Sequence, residues 1–298
     1  MNKFYPIIFL LLIGCASDNK SENQNSQPAP KETVVIDQHF DNFQIDSSKI
    51  AALSNFELSR LEKEKIANQL RPEYDYLYQY EWSQPKKPFV DHFLFIELNN
   101  DGKPDLIFQG ESGGEPRCIK IHFSKANGYD SSIVFMQYLK SLTVENGQIK
   151  SLTMVDPGCC AEYVEQELTY LFDENLNHEI VSHRARIGKL DVKYEILKAP
   201  IRFEVQNDKY KLRGEPLIDD TGTFVYDYHE LGNTVAVFKK GATGQAWAMD
   251  KSDPEREWWY VEMNPISDTL EFDMFNFYDA SKLKRLGWMS SKYLERKK

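Results

Sequence analysis

The chain has 298 residues and a formal net charge of −10. Because no basic stripe stands out from this acidic composition, nucleic-acid binding is disfavoured. No later segment approaches the stretch of about 18 apolar residues that a membrane-spanning helix needs. Behind a short N-terminal tail, the remaining length suits one large or two modest domains.

The N-terminus has the order of a secretory leader: Lys3, an apolar run over residues 4–13, and then Gly14-Cys15. The run is too short to cross a bilayer but has the length of a signal-peptide core. Its ending resembles the lipobox of bacterial lipoproteins. The resemblance implies a signal peptide over residues 1–14, acylation of Cys15, with palmitate for example, and attachment to the membrane through this lipid. An ordinary signal peptide with an incidental Cys is the alternative.

Residues 15–32 are mainly Ser, Asn, Gln, Pro and charged side chains. Such a segment cannot bury a core, so we expect a flexible tether. Asp18 and Glu22, close behind Cys15, resemble the export signal of surface lipoproteins in Bacteroidetes-type bacteria. The expected location is therefore the cell envelope, at the outer membrane, with the periplasmic and surface faces both left open.

Residues 33–200 predict an antiparallel, β-rich first domain with one early helix. The capping-box spacing of residues 54–57 marks a helix start, an apolar stripe follows, and Arg71-Pro72 marks its end. Alternating or apolar runs then predict strands at residues 118–123, 133–139, 164–172 and 179–187. Asn146-Gly147 predicts a hairpin between residues 141–144 and 148–155. The predicted fold class is mainly β, with an α+β first domain built on a meander.

An acidic loop lies between two apolar runs at residues 93–96 and 106–108. A hard divalent cation binds six to eight oxygens, which a short loop can supply from alternate residues. The candidate ligands are four side chains and one backbone carbonyl: Glu97, Asn99, Asp101, the carbonyl of Lys103, and Asp105. Gly102 stands where the loop must turn sharply.

This loop resembles the calcium loops of FG-GAP and VCBS-type β repeats through Asn99, Asp101, Gly102, Asp105 and Leu106. The resemblance implies one structural Ca²⁺, although a Glu stands at position 97 where those repeats usually have Asp. Only one copy is present, which makes a propeller improbable. The alternative is a plain turn whose carboxylates bond backbone amides.

Three cysteines remain in the mature chain: Cys118, Cys159 and Cys160. An exported protein meets an oxidising environment, so a disulfide is plausible. Pairing of Cys118 with Cys159 or Cys160 is the first choice, and a vicinal ring between Cys159 and Cys160 is the second. Zinc is disfavoured because adjacent Cys lack the usual spacing of zinc ligands.

Histidine does not point to catalysis in this sequence. His122, His178 and His183 lie on strand-like runs without a partner motif. The segment Pro157-Gly158-Cys159-Cys160 does not supply a supported nucleophile motif. We therefore expect structural or surface histidines and no enzymatic activity.

The last part, residues 201–298, carries four motifs in the order found in bacterial SH3 domains. They are residues 210–216, residues 234–241, Trp258-Trp259-Tyr260-Val261 and residues 287–294. The resemblance implies a small SH3-like β barrel. Two long insertions, at residues 241–257 and 264–286, are expected to form large loops on it.

Aromatic side chains are the candidate ligand contacts in this part, because rings offer large contact area at little entropic cost. Trp259 and Trp288 are assigned to the core. The following residues are expected to be exposed for ligand binding: Trp247, Trp258, Tyr260, Phe275, Phe277 and Tyr278. Residues 271–279 can alternatively form one edge strand.

Taken together, the sequence predicts a non-catalytic envelope lipoprotein. The SH3 resemblance implies binding of cell-wall peptide or of an envelope protein. A cell-wall hydrolase, or an accessory subunit of one, targeted by the SH3-like part is one alternative. A structural subunit of a surface complex is another.

Overall fold

The computed structural model describes residues 53–54, 56–74, 87–111, 117–158, 164–187, 194–220, 232–265, 270–275, 279 and 281–298. The described chain is mainly β with one early α-helix, which confirms the predicted fold class. No helix within these ranges is long and apolar enough to cross a membrane. The predicted signal peptide and tether lie outside the described residues.

The helix α1 spans Arg60–Tyr74, and a short 3-10 turn follows at Phe89–His92. The strands in chain order are β1 Phe93–Ile96, β2 Asp105–Glu111, β3 Arg117–Lys125, β4 Gly128–Phe135, β5 Tyr138–Glu145, β6 Gln148–Asp156, β7 Val164–Phe172, β8 His178–Ile187, β9 Glu195–Val205, β10 Tyr210–Arg213, β11 Thr234–Phe238, β12 Thr243–Asp250, β13 Trp258–Met263, β14 Leu270–Asp273, β15 Leu283–Ser290 and β16 Leu294–Arg296. A second 3-10 turn, Ser291–Tyr293, joins β15 to β16.

The strands form two sheets. The smaller sheet has the order β1-β2-β3-β4, and the larger has the order β16-β9-β12-β13-β15-β8-β7-β6-β5. Off this path, β10 pairs with β11 and β15, and β14 pairs with β11. Strands β1 to β4 and β5 to β8 each pair in chain order, so both are the meanders that the sequence predicts. One pair, β8 with β15, is parallel.

The front half is built in three layers. Helix α1 packs its buried face, including Leu70 and Tyr74, against Phe93 and Phe108 on one side of the small sheet. The other side of that sheet shares a second apolar cluster with strands β5 to β7. Burial of apolar side chains on both faces explains why β1 and β2 are nearly continuous apolar runs.

The start and the end of the helix differ from the prediction. The capping box forms at Ser59, whose Oγ and backbone N both donate to Glu62 Oε2 at 2.6 and 2.8 Å. Ser54 instead donates its Oγ to the carbonyl of Phe95, which ties the incoming chain to β1. Pro72 lies inside the helix, which continues to Tyr74 because Tyr74 is buried against the small sheet.

The predicted hairpin at Asn146-Gly147 is confirmed. Both residues have positive φ, 53° and 72°, as a two-residue turn between β5 and β6 requires. The strand predicted over residues 133–139 is wrong, because β4 ends at Phe135 and β5 begins at Tyr138. The pairing passes there from the small sheet to the large one, so the chain must turn.

Strands β9 to β16 form an open sheet and not the small closed barrel that was predicted for residues 201–298. In order they are β14-β11-β10-β15-β13-β12-β9-β16, and the two end strands do not pair with each other. Strand β15 also pairs along Leu283–Leu286 with β8, which continues the sheet into the front half. The two expected insertions are not loops alone, because they contain β12, β14 and the start of β15.

Charged side chains join the two halves across the β8–β15 pair. Arg184, which is 1% exposed, donates to Glu262 at 2.8 Å and to Glu167 at 3.0 Å. Lys284 completes the group with a 2.9 Å bond to Glu262. The pKa of Glu262 is lowered: burial alone would raise it, but the charge of Arg184 and the hydrogen bond from Lys284 outweigh burial. The predicted boundary between residues 200 and 201 falls inside β9.

Candidate functional site: a basic aromatic cleft

A cleft of about 160 Å³ opens where β10, β13 and the end of β15 meet. We call it the basic cleft. Its lining residues are Lys209, Tyr210, Lys211, Arg213, Ile218, Arg256, Trp258, Ser290, Lys292 and Tyr293. Five of these ten are cationic, three are aromatic and none is acidic, although the whole chain is acidic. The cleft therefore concentrates positive charge locally.

Local backbone geometry brings these residues together. Gly287 lets β15 approach β10 closely, since a Cβ at this position would lie 2.6 Å from the carbonyl oxygen of Arg213. The hydroxyl of Tyr210 donates to the carbonyl of Ser290, which fixes β10 against the end of β15. Tyr293 then meets Tyr210 edge-on, with ring centroids 5.7 Å apart. The closing motif therefore supplies one wall of the cleft.

Three of the five cations already have acidic partners. Lys211 and Arg213 both contact Asp220, at 2.9 and 2.8 Å, and Lys209 lies 3.4 Å from Glu271. Arg213 also donates to Asn233 Oδ1 at 2.7 Å. Partial burial would raise the pKa of Asp220, but the hydrogen bonds and charges of Lys211 and Arg213 lower it. These three cations hold the cleft in shape.

The other two cations, Arg256 and Lys292, form no ion pair with any residue in the described ranges. Each lies near a ring of the cleft: Arg256 Cζ is 5.6 Å from the centroid of Trp258, and Lys292 Nζ is 5.2 Å from that of Tyr293. Trp258 is 2% exposed, and its indole Nε1 has no hydrogen-bond partner among the described residues. An unpaired buried donor costs free energy, and this one lies inside the packed cluster rather than open to the cleft.

The basic cleft suits part of an anionic ligand. Binding pockets for whole small molecules usually have volumes of about 300–1,000 Å³, so 160 Å³ holds one or two groups of a longer chain. Two cations without ion-pair partners favour a carboxylate or another anion, and Tyr210 and Tyr293 offer ring surface beside it.

The aromatic residues predicted to be exposed are placed differently. Trp258, Tyr260 and Phe275 are 2%, 2% and 0% exposed, so their predicted exposure is wrong; they pack between or against sheet strands. Trp247 is half-buried. Phe277 and Tyr278 lie outside the described residues. Of the four predicted residues that the structure describes, only Trp258 lines the basic cleft.

Several cleft residues were not foreseen as ligand contacts, above all Arg256, Lys292 and Tyr293. A signal was available in the sequence: two of the three lie in or beside the closing motif, and Arg256 comes just before the Trp-Trp strand. Periodicity did not reveal it, because the three come from a loop and a 3-10 turn.

The acidic loop is held by its own hydrogen bonds. Asp101 N donates to Glu97 Oε1 and to Asn99 Oδ1, at 3.0 and 3.1 Å, and Lys103 N donates to Asp101 Oδ1 at 2.9 Å. Gly102 has φ 75°, as the predicted sharp turn requires. The contacts are those of the alternative interpretation, a turn whose side-chain oxygens bond backbone amides.

Asp105 is the buried anchor of this loop. Its two carboxylate oxygens accept from Leu98 N at 2.8 Å and from Ser124 N at 2.7 Å, and the side chain is fully buried. Burial raises the pKa of Asp105 to about 6, and the nearby charges of Asp101 and Glu97 add to the rise, while the two amide bonds oppose it. These bonds join β1, β2 and β3 at one point.

The predicted calcium ligands do not form a ready set of cation ligands in this arrangement. Within the described ranges, no group of three or more His, Cys, Asp or Glu side chains is placed to hold a metal ion. The oxygens of Asp101 and Asp105 are oriented toward N–H and O–H donors. Calcium binding would require them to turn, and it stays a prediction.

The cysteine and histidine predictions have mixed outcomes. Cys118 is buried on β3, whereas Cys15, Cys159 and Cys160 lie outside the described residues, so lipidation and pairing stay predictions. His122 is fully buried and bonds the hydroxyl of Tyr74 through Nε2.

His183 and His178, the other two histidines considered in the sequence analysis, lie on β8 and not beside His122 on β3. His183 Nε2 lies 2.9 Å from Gln166 Oε1, and His178 is exposed at the start of β8. Burial lowers the pKa of both His122 and His183 to about 4. These contacts are those expected of structural side chains.

Comparison with models of protein families, with curated proteins and with solved structures finds no match to this chain.

Proposed function

We propose that this chain is a non-catalytic, lipid-anchored protein of the bacterial envelope that binds a carboxylate-bearing peptide, from the cell wall or from an envelope protein, in the basic cleft. The observation that carries the proposal is the pair of cations without ion-pair partners in the described chain, Arg256 and Lys292, each beside a ring of the cleft. The resemblance of the closing motif to bacterial SH3 domains supports peptide binding.

Charge supports the ligand class. Five cations line a cleft in a chain of net charge −10, so a ligand with carboxylates would be attracted to this cleft. A carboxylate that accepts hydrogen bonds from Arg256 and Lys292 would pair charges that have no ion-pair partner in the described chain. Cell-wall stem peptides and acidic protein segments both carry such groups, so both belong to the proposal.

The anchor belongs to the same proposal. Lipid on Cys15 and a flexible tether over residues 15–32 would hold the binding part within reach of the wall at the outer membrane. Metabolic labelling with a palmitate analogue tests it, with Cys15→Ser as the control. Equal labelling of the parent and of Cys15→Ser would contradict the proposed lipid anchor but would not affect the proposal of ligand binding in the basic cleft.

The decisive experiment measures binding of a sugar-free stem tetrapeptide by titration calorimetry with the mature protein. We expect the peptide to bind, and the same peptide with amidated carboxyl groups to bind at least tenfold more weakly. Replacement of Tyr293, an exposed ring of the cleft, by Ala should also weaken binding, whereas Tyr138→Ala on β5 should not. A segment of acidic envelope protein is tested in the same way. Equal binding of free and amidated peptides would refute the proposal.

A further inference from the structure

A second groove lies in the front half, between the β3–β4 hairpin, the acidic loop and the β7–β8 loop. Its volume is about 610 Å³, within the range of pockets that hold whole small ligands. We call it the amide groove. The residues that line it are Asn99, Phe123, Ser124, Lys125, Asp130, Ile133, Asn175, Leu176, Asn177 and His178.

The groove carries almost no net charge. Its two charged side chains, Lys125 and Asp130, form an ion pair with each other. Ser124 donates its hydroxyl to Asp101, so the nearest carboxylate of the acidic loop is also engaged. A charged ligand would therefore have to break existing pairs, whereas a neutral one would not.

Neutral hydrogen-bonding groups remain unused around the groove. The Asn175 side-chain amide is exposed and makes no hydrogen bond within the described ranges, and neither does the exposed imidazole of His178. Asn99 uses its Oδ1 toward Asp101 N and Asn177 uses its Nδ2 toward Asp173, so each keeps the other half of its amide.

The β7–β8 loop holds these amides in fixed positions. Asp173 Oδ1 accepts from Asn175 N and Asn177 N at 2.8 and 2.9 Å, and its Oδ2 accepts from Asn177 Nδ2 at 2.8 Å. The hydrogen bond with Asn177 lowers the pKa of Asp173 below its usual range. Leu176 has φ 65°, a conformation that this clamp maintains. A fixed loop reduces the entropic cost of binding.

The floor of the groove is apolar. Phe123 and Ile133 are buried beneath it, Leu176 packs against the same cluster, and His178 lies 5.3 to 5.6 Å from the rings of Phe135, Tyr170 and Phe172. An apolar floor with neutral amides on the rim matches a molecule that has C–H faces and many hydroxyl groups.

From this arrangement we infer that the amide groove is a binding site for a neutral oligosaccharide. Sugar hydroxyl groups both donate and accept hydrogen bonds. They can therefore pair with the side-chain amide of Asn175 and with the unused amide groups of Asn99 and Asn177. The sugar C–H faces would lie on the apolar floor. The site is separate from the basic cleft, so this inference does not depend on the proposed peptide binding.

The test uses uncharged tetramers of N-acetylglucosamine and of β-1,4- and α-1,4-linked glucose, with an oligogalacturonate tetramer as the anionic comparison. Binding to the mature protein is followed by nuclear magnetic resonance shifts of the backbone amides. At least one neutral tetramer should bind below about 1 mM, with shifts at the β7–β8 loop, and the anionic tetramer should bind at least tenfold more weakly.

Two variants locate the site. Asn175→Ala removes an exposed amide without removing a described contact, and should weaken neutral binding about fivefold to tenfold. Asn207→Ala, an exposed Asn in the β9–β10 turn, is the matched control and should change nothing. Absence of binding by all the neutral tetramers, equal binding by Asn175→Ala, or shifts confined to another surface would overturn the inference and indicate a hydrated surface groove only.

Discussion

The basic cleft and the amide groove differ in how their charges are paired. The cleft is small, has five cations and no acid in its lining, and leaves Arg256 and Lys292 without ion-pair partners in the described chain. The groove is almost four times larger, and its only two charges neutralise each other. The difference teaches that the charge offered by each surface follows from local pairing and not from the net charge of −10, and the two proposed ligands differ for this reason.

The largest expected effect comes from removing the unpaired charges of the cleft. The double variant Arg256→Gln with Lys292→Gln should weaken binding of the stem tetrapeptide about 100-fold, because each charged hydrogen bond contributes about 1.5 kcal/mol or more. Titration calorimetry measures the change. Lys198→Gln, an exposed Lys on β9 outside the cleft, is the matched control and should leave affinity within about twofold. An equal loss in both proteins would mean that only net charge matters.

The second prediction concerns the pH dependence of stability. It rests on Asp105, which accepts a hydrogen bond from the backbone of Ser124 in the amide groove. The pKa of Asp105 is raised above its unfolded value of 3.8 to about 6, so the folded state holds a proton that the unfolded state releases. The protonated Asp105 therefore stabilises the folded state below about pH 4, and this stabilisation is lost as the pH rises through about 6. The loss in the free energy of unfolding is about 2 kcal/mol. Asp105→Asn should not show this loss.

The free energy of unfolding of the parent and of Asp105→Asn, measured with denaturant from pH 4 to pH 7, tests this loss of stability. His122 and His183 act with the opposite sign, because their pKa values are lowered to about 4 and protonation favours the unfolded state as pH falls below 6.5. The difference between parent and variant therefore isolates Asp105. Parallel curves for the two proteins would contradict the role assigned to this carboxyl.

A smaller effect should distinguish the two surfaces by salt. Raising the sodium chloride concentration from about 50 to about 500 mM should weaken peptide binding in the basic cleft about tenfold, because the ligand charge is screened. Neutral tetramers in the amide groove should bind equally at both concentrations. Calorimetry at the two salt concentrations gives both values, and salt-independent peptide binding would argue against charge as the basis of recognition.

The smallest expected effect concerns the acidic loop, which contributes Asn99 to the groove. If the loop binds Ca²⁺, as its resemblance to repeat loops implies, the ion should raise the melting temperature of the parent by a few degrees. Asp101→Asn should lose that rise. Replacing Asp105 as well is less informative, since it is a buried anchor of three strands. If the parent has the same melting temperature with calcium and with chelator, the calcium prediction is refuted.

The sequence predicted the local elements better than their assembly. The Asn146-Gly147 hairpin and the β5 to β8 meander depend on neighbours in the chain, which periodicity and turn residues report. The parallel pairing of β8 with β15 joins residues about a hundred positions apart, and no local pattern encodes it. The predicted closed barrel failed for this reason, since β15 had a partner outside the segment that was considered.

The candidate site was predicted only in part. Trp258 does line the cleft, but it is buried and not exposed as predicted, and its contact with a ligand stays a prediction. Burial of Tyr260 and Phe275 depends on which face of a strand meets the rest of the sheet, and both faces of β13 are covered. Arg256 and Lys292 acquire their role from missing partners, which only the three-dimensional arrangement reveals.

The shared sheet has a consequence for how the chain can be cut. A protease that nicked the chain within residues 221–231 would leave the two pieces joined by strand pairing and by the bond from Arg184 to Glu262. A chain that ended after β8, in contrast, would leave the edge of β8 without its partner β15. It would also leave the buried guanidinium of Arg184 without Glu262. We expect such a product to aggregate or to be degraded.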